Sequence, residues 1–324
     1  MNQQRTTDRT PAASQPEATR LDRRIRQAEA ALFARYGVAV EESFARLGSG
    51  PRLRVLSAGA GPALVLLPGS ALAAPVWAPW LGALGGYRAH LVDLPGHGLS
   101  DPVMYRPGQV REAALTLIDD LLAALGLETA AVIGHSVGGM YALWHAAARP
   151  GKISCLILAG APAGALPGLR IRIPTSLLTV PVLGQAMLRM PSPRQAYRTL
   201  LTRAMGSMPA ATDELIDVLR LSARRPGSAA SVTSLHRAVD LFHEPRPETT
   251  LTDSELGQVT VPVMFCWGRD DPFMSPRTAR PSIAKIPRAV LHEIPGGHVP
   301  WLDDPVDCAR LVTGHLRAAG LFPS

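Results

Sequence analysis

From residue 63 onward the chain alternates short, wholly apolar runs with longer stretches whose apolar residues recur at helical spacing. The apolar runs fall at 63–67, 89–92, 130–133, 153–158, 261–267 and 289–294. A strand that is apolar along its whole length must be covered on both faces, so the alternation predicts a mostly parallel central sheet flanked by helices. One intervening helix is explicit: Val110, Ala113, Ala114, Leu117, Ile118, Leu121, Leu122 and Leu125 share a face, and Gly126 follows as a stop. Upstream, residues 42–47 and 52–57 alternate in strand fashion around Gly48-Ser49-Gly50-Pro51, which predicts a hairpin.

Three segments depart from this rhythm. Residues 1–20 are polar and contain Pro11 and Pro16, which predicts a disordered tail. Within 21–40, Leu21, Ile25, Ala28, Leu32 and Tyr36 form one stripe, which predicts an amphipathic helix packed against the main body. Between 161 and 250, about 90 residues separate two strands where a crossover needs only a dozen or more. Helical patterns at 176–189, 193–205, 212–225 and 228–242 fill that gap, punctuated by Pro and Gly. The expected organisation is therefore a core formed by 41–160 and 251–324, with 161–250 inserted as a helical lid.

The stretch that carries chemistry is Gly134-His135-Ser136-Val137-Gly138, between the run at 130–133 and an apolar helical pattern at 140–148. A strand that reverses into a helix within so few residues strains the backbone at the serine and needs glycine on either side. Such a turn presents Ser136 Oγ above the sheet and offers the Val137 N–H, at a helix N-terminus, to a developing oxyanion. A serine hydroxyl is a weak nucleophile near neutral pH, so a base and a carboxylate that orients it are required. Asp271, with Asp270 beside it as the alternative, follows the run at 261–267. His298 follows the run at 289–294 in a Gly-Gly approach. Both would reach the sheet edge where Ser136 sits.

Four stretches together resemble the α/β-hydrolase superfamily, in its lidded, serine-nucleophile branch of esterases and carbon-carbon hydrolases. They are Leu67-Pro68-Gly69-Ser70, Asp93-Leu94-Pro95-Gly96-His97-Gly98-Leu99-Ser100, the Ser136 turn, and Trp267-Gly268-Arg269-Asp270-Asp271 with Gly296-Gly297-His298. The resemblance covers roughly residues 43–321. It implies an α/β-hydrolase fold, a Ser136-His298-Asp271 triad, and an oxyanion hole made by the N–H groups of Ser70 and Val137. Pro68 stands where the family commonly has His, which puts the support of the first loop in question. A serine at the nucleophile position excludes the chemistries that proceed through an alkyl ester of an aspartate.

The implied function is hydrolysis of a small or medium, mainly apolar carboxylic ester, with no cofactor or metal. Carbon-carbon bond hydrolysis, thioesterase or perhydrolase activity would use the same triad, and for a carboxylated substrate Arg170 or Arg172 at the lid entrance would serve. A small-molecule receptor with little turnover is the reading of another class. Leu177, Leu178, Val180, Val182, Leu183, Met187, Leu188, Met190, Met205 and Met208 predict an apolar pocket wall in the lid.

Composition narrows the partners. The net charge is +7, and between residues 161 and 250 eleven Arg stand against six Asp plus Glu, so +5 of it lies in the insertion. The arginines are scattered without interleaved aromatics, which argues for a solvated surface and against nucleic acid. No apolar run approaches the roughly 20 residues that span a bilayer, and the first residues lack an apolar signal core, so a cytoplasmic location is expected. Cys155, Cys266 and Cys308 are expected to be reduced and structural.

Overall fold

The computed structural model describes residues 15–48, 50–173, 175–190, 192–206 and 211–322, without the side chains of 15–18. The eight strands of the main sheet are β1 (Glu41–Arg46), β2 (Arg52–Ala58), β3 (Ala63–Leu67), β4 (Arg88–Val92), β5 (Ala130–His135), β6 (Ile153–Ala159), β7 (Val263–Gly268) and β8 (Ala289–Ile294). Their order is β1-β2-β4-β3-β5-β6-β7-β8, antiparallel at β1/β2 and β2/β4 and parallel from β4 onward. The apolar runs form strands for the expected reason. In β6, Leu156 and Leu158 enter the core on one face, while Cys155, Ile157 and Ala159 enter the core on the other. The exception is β8, an edge strand with Val290 43% exposed, so its apolar pattern does not reflect burial on both faces.

Parallel register aligns the strand ends. Leu67 lies opposite Gly134, Gly134 opposite Leu158, Ala159 opposite Cys266, and Gly268 opposite Ile294. The loops that begin at Pro68, Ser136, Gly160, Arg269 and Pro295 therefore emerge in one row along the carboxyl edge, the place where open α/β sheets hold their ligands. Helix α2 (Val110–Ala124) and helix α3 (Ser136–Ala148) cover one face, and helix α8 (Pro305–Ala318) covers the other.

Helix α1 spans Gln15–Arg35, so the helix begins six residues before the expected 21 and ends before 40. The rest of the expected tail, residues 1–14, lies outside the described residues. Leu32 and Phe33 pack into the sheet-side core with Leu56, and Ile25 packs with Leu99 and Leu221. The helix thus touches the body, as its stripe predicts, and also the insertion.

The insertion holds α4 (Leu183–Arg189), α5 (Arg194–Met205), α6 (Asp213–Ser222) and α7 (Ser228–Val239). The expected helix at 176–189 is broken: a 3-10 turn at Thr175–Thr179 ends before Pro181, and Val182 sits at φ +65° before α4 begins. Proline removes the backbone donor a continuous helix would need there. Of the other helical stretches, that at 193–205 ends at Met205 as expected, and the remaining two stop earlier, at Ser222 and Val239. Helix α7 is stitched to the loop after β4, where Ser228 Oγ donates to Gly96 O at 2.7 Å.

The hairpin is present as β1 and β2, with Ser49 outside the described residues. From β2, Arg54 is 2% exposed and reaches Glu29 of α1 at 2.5 Å, Asp93 at 3.2 Å and Glu42 at 2.7 Å. The Glu42 contact joins Nε without hydrogen-bond alignment. Burial opposes charge on Arg54, but the hydrogen bond to Glu29 and the surrounding carboxylates hold it protonated, above its ordinary range. Burial likewise pushes the Glu29 carboxyl up, with Arg54 opposing.

Removing one partner of a buried pair leaves an uncompensated charge. Glu29→Ala is therefore expected to lower the unfolding free energy in urea by about 3 kcal/mol, whereas the more exposed Glu42→Ala should cost less than about 1 kcal/mol. Equal, small losses from both would show that α1 does not depend on the buried pair.

Candidate active site

Ser136 stands at φ +50°, in the left-handed region that side chains rarely adopt. The turn is possible because its neighbours lack side chains. A Cβ on Gly138 would lie 2.3 Å from Leu67 O, and one on Gly134 would lie 2.6 Å from Gly139 Cα. Ser136 is half-buried, and Val137 follows in the first turn of α3, where backbone N–H groups have no intrahelical acceptor.

The loops after β7 and β8 bring Asp271 and His298 together. His298 Nδ1 donates to Asp271 Oδ2 at 2.8 Å, and both residues are buried. Asp271 also accepts from Ala161 N at 3.1 Å and Phe273 N at 3.0 Å, so its carboxylate is fixed from three directions. Asp270 is exposed, and its backbone N–H is bonded to Gly296 O. The geometry therefore separates the two adjacent carboxylates. Ser136 and His298 line one cavity of about 140 Å³, although no hydrogen bond joins them among the described residues. Such contacts often tighten only when a substrate is present.

His135 supports this loop from below. Its Nε2 donates to His298 O at 3.0 Å, while His298 N donates to Met205 O of the insertion at 2.7 Å. Both backbone groups of His298 are thus held, one by the core and one by α5. Burial, with a contribution from neighbouring His298, pushes the His135 imidazole well below its ordinary value, so it stays neutral. Trp301, stacked on Trp77 at 4.2 Å, meets the His135 ring edge-on.

The first loop solves the problem posed by Pro68 in a different way. His97 Nδ1 donates to Pro95 O at 3.0 Å, which leaves Nε2 to accept from Ala71 N at 3.0 Å. Ala71 is held at φ +61°, and Asp93 Oδ1 accepts from Ala74 N at 2.7 Å. Two residues of the 93–100 stretch therefore anchor the loop. The Ala71 N–H is thereby taken, and Ser70, the residue before it, lines the same cavity as Ser136.

Cavity lining matches part of the sequence expectation. Leu178, Met187, Leu188, Met190 and Met205 line the wall, with Leu169, Ile171, Leu201 and Phe273. Leu177, Val180, Val182 and Leu183 are not among the described lining residues, and Met208 lies outside the described residues. Arg170 and Arg172 are exposed and do not line the cavity, and no lysine or arginine is among the described lining residues. Sequence reasoning missed His236 and Asp240, which also line it. Asp240 follows the last residue of α7, four positions after His236, a visible spacing, but His236's partner Ser70 lies 166 positions away. A larger groove bordered by Met104, Tyr105 and Tyr141 contains none of the candidate residues.

Residues 62–305 match the α/β-hydrolase fold family, and the chain belongs to it. It is 32% identical over 234 residues to a 2-hydroxy-6-oxononadienedioate/2-hydroxy-6-oxononatrienedioate hydrolase of Cupriavidus pinatubonensis, covering 70% of this chain and 76% of that protein. A protein of the same description from Dechloromonas aromatica is 31% identical, with the same coverage. Among solved structures, a Bacillus subtilis carboxylesterase superposes with a TM-score of 0.74 at 18% identity, covering 92% of this chain and 99% of that one. The 2-hydroxy-6-oxo-6-phenylhexa-2,4-dienoate hydrolase of a Rhodococcus strain gives 0.69 at 21% identity, covering 86% and 99%. Among the described residues, no helix is long and apolar enough to cross a membrane.

Histidines held neutral by burial make stability depend on pH. Burial lowers His97 and His135 from 6.5, and it lowers His90, His145 and His315 in the same direction. Unfolded histidines bind protons at a higher pH than these do. The stability they contribute is present above about 6.5 and is lost as pH falls toward the folded values. Glu29, raised by burial, acts with the opposite sign but is one group against five. The urea midpoint should fall between about pH 7.5 and about pH 5; a constant or rising midpoint would contradict the assignment of neutral buried imidazoles.

Proposed function

We propose that the protein is a serine hydrolase of a small or medium, mainly apolar carboxylic ester, and that the inserted helices act as a lid. The observation that carries this reading is the buried His298–Asp271 hydrogen bond beside a cavity that Ser136 also lines. Asp271 holds the Nδ1 proton, which leaves Nε2 as the base for the Ser136 hydroxyl. Ser136 Oγ attacks the carbonyl, and the N–H groups of Ser70 and Val137 stabilise the oxyanion. His298 then returns the proton to the leaving alcohol, and a water activated by the same imidazole hydrolyses the acyl-enzyme.

The cavity favours an uncharged substrate. Its wall is largely aliphatic and thioether, and a buried carboxylate without a cationic partner would be costly. The relatives at 31–32% identity support a second reading, carbon-carbon bond hydrolysis on the same triad. Their named substrates are dicarboxylates, however, and the exposed Arg170 and Arg172 are not placed to meet one inside the cavity.

Nitrophenyl esters of graded acyl length, assayed alongside a carboxylated dienone, test both readings. Turnover should rise from acetate upward, by up to about fourfold per buried methylene until the pocket is full. A profile that falls steadily from acetate, or turnover of the dienone alone, would replace the ester reading. Fluorophosphonate labelling should disappear in Ser136→Ala, and labelling that persists would remove Ser136 as nucleophile. Asp271→Asn should reduce kcat on the order of 10⁴-fold, with Asp270→Asn mild. Ligand binding without any ester turnover would favour a receptor.

A further inference from the structure

The cavity contains a second hydroxyl–imidazole–carboxylate chain, facing Ser136 from the side of the first loop. Ser70 Oγ lies 3.0 Å from His236 Nε2, and His236 Nδ1 lies 2.9 Å from Asp240 Oδ2. His236 is 7% and Asp240 8% exposed, and all three residues line the cavity. The chain crosses from the core, which supplies Ser70, to helix α7 of the insertion, which supplies His236. The orienting bond of Asp271 to His298 is not used here, and the mechanism above takes only the backbone N–H of Ser70.

The direction of each proton follows from the partners. A carboxylate can only accept, so the hydrogen bond to Asp240 places the imidazole proton on Nδ1. When the ring is neutral, Nε2 is then a lone pair, and the Ser70 hydroxyl donates to it. No other partner of Ser70 Oγ exists among the described residues, so its remaining lone pairs are directed at the cavity. A serine hydroxyl normally rotates to donate or accept as required. Here the rotor is held in one sense.

We infer that His236 and Asp240 are positioning residues that hold the Ser70 hydroxyl as a hydrogen-bond acceptor toward the cavity, selecting substrates that carry a hydroxyl close to the reacting carbonyl. Ser70 then has two separable roles. Its backbone N–H meets the oxyanion, and its side-chain oxygen receives a proton donor on the neighbouring part of the substrate. In a wall that is otherwise mostly apolar, a hydroxyl without this acceptor would lose its water and gain nothing. A methyl ether at the same position can only accept, and it would face the Ser70 lone pairs unpaired. The inference rests on the serine-hydrolase reading of the same cavity and specifies its substrate class.

The test uses nitrophenyl esters of butyrate, of 2-hydroxy- and 3-hydroxybutyrate, and of the matching methoxybutyrates, with the full-length protein. At one of the two positions the hydroxy ester should exceed its methoxy counterpart in kcat/KM by about tenfold, mainly through KM. Ser70→Ala should bring that ratio near unity, and Ser70→Thr, which keeps the hydroxyl, should retain it. His236→Phe, which preserves ring volume but frees the hydroxyl rotor, should also collapse the ratio, and Asp240→Asn should lower it. A purely structural role would lower hydroxy and methoxy esters alike and leave the ratio unchanged in the variants, which would overturn the inference. A wild-type ratio at or below unity at both positions, with Ser136 still labelled by fluorophosphonate, would overturn it while leaving the hydrolase reading intact. If Ser136 is unlabelled and no ester is turned over, both fall together.

Discussion

The backbone at Ser136 is the constraint on which the site depends. An L-residue at φ +50° is strained and persists only where the surroundings leave no alternative. Here the surroundings are backbone atoms. Leu67 O and Pro68 O crowd the side of Gly138, and Gly139 crowds Gly134, so β3, β5 and the start of α3 meet without intervening side chains. The turn also fixes what can lie beside it. A Cβ on Gly69 would fall 2.6 Å from His135 Nδ1 and 2.9 Å from Ser136 Cβ, so the first loop approaches the serine at the limit of contact.

Support then spreads outward through neutral imidazoles and buried carboxylates. His97 holds the first loop, His135 holds the carbonyl of His298, and Asp271 holds its ring. Asp93 accepts from Ala74 N, Leu99 N and Arg54, and so joins the first loop to the 93–100 loop and, through Arg54, to Glu29 of α1. Each of these groups is buried, where an unpaired polar atom is expensive, so each bond excludes other arrangements of its loop. The insertion enters the same network at Met205 O, Ser228 Oγ and His236. Closing the cavity and organising its polar atoms are therefore parts of one set of contacts.

Much of this was legible in the chain because its causes are local. Apolar runs of strand length and a stripe at 110–125 predicted elements that the structure places within a residue or two. The glycines at 134 and 138 marked the strained turn, since only a residue without Cβ fits between such closely packed backbones. The order of Ser136, Asp271 and His298 after successive strands placed them on one edge, because parallel strands align their ends. Local signals also misled where packing overrode them. Helical periodicity ran through Pro181, and the polar residues after Gln15 form a helix that is docked through Ile25, Leu32 and Phe33.

By itself the sequence determined the fold class and the glycine-flanked turn at Ser136, which follow from residue type and short-range spacing, and its family resemblance favoured Asp271 over the adjacent Asp270. Only the tertiary structure showed Asp271 buried against His298 and Asp270 exposed, supplied His97 as support for the loop after Pro68, and left Arg170 and Arg172 outside the cavity. It alone brought Ser70 to His236 across 166 positions. Hydrogen bonds between loops distant in sequence leave no periodicity to read, because their partners are chosen by where the sheet register and the insertion set each backbone, and not by the residues beside them.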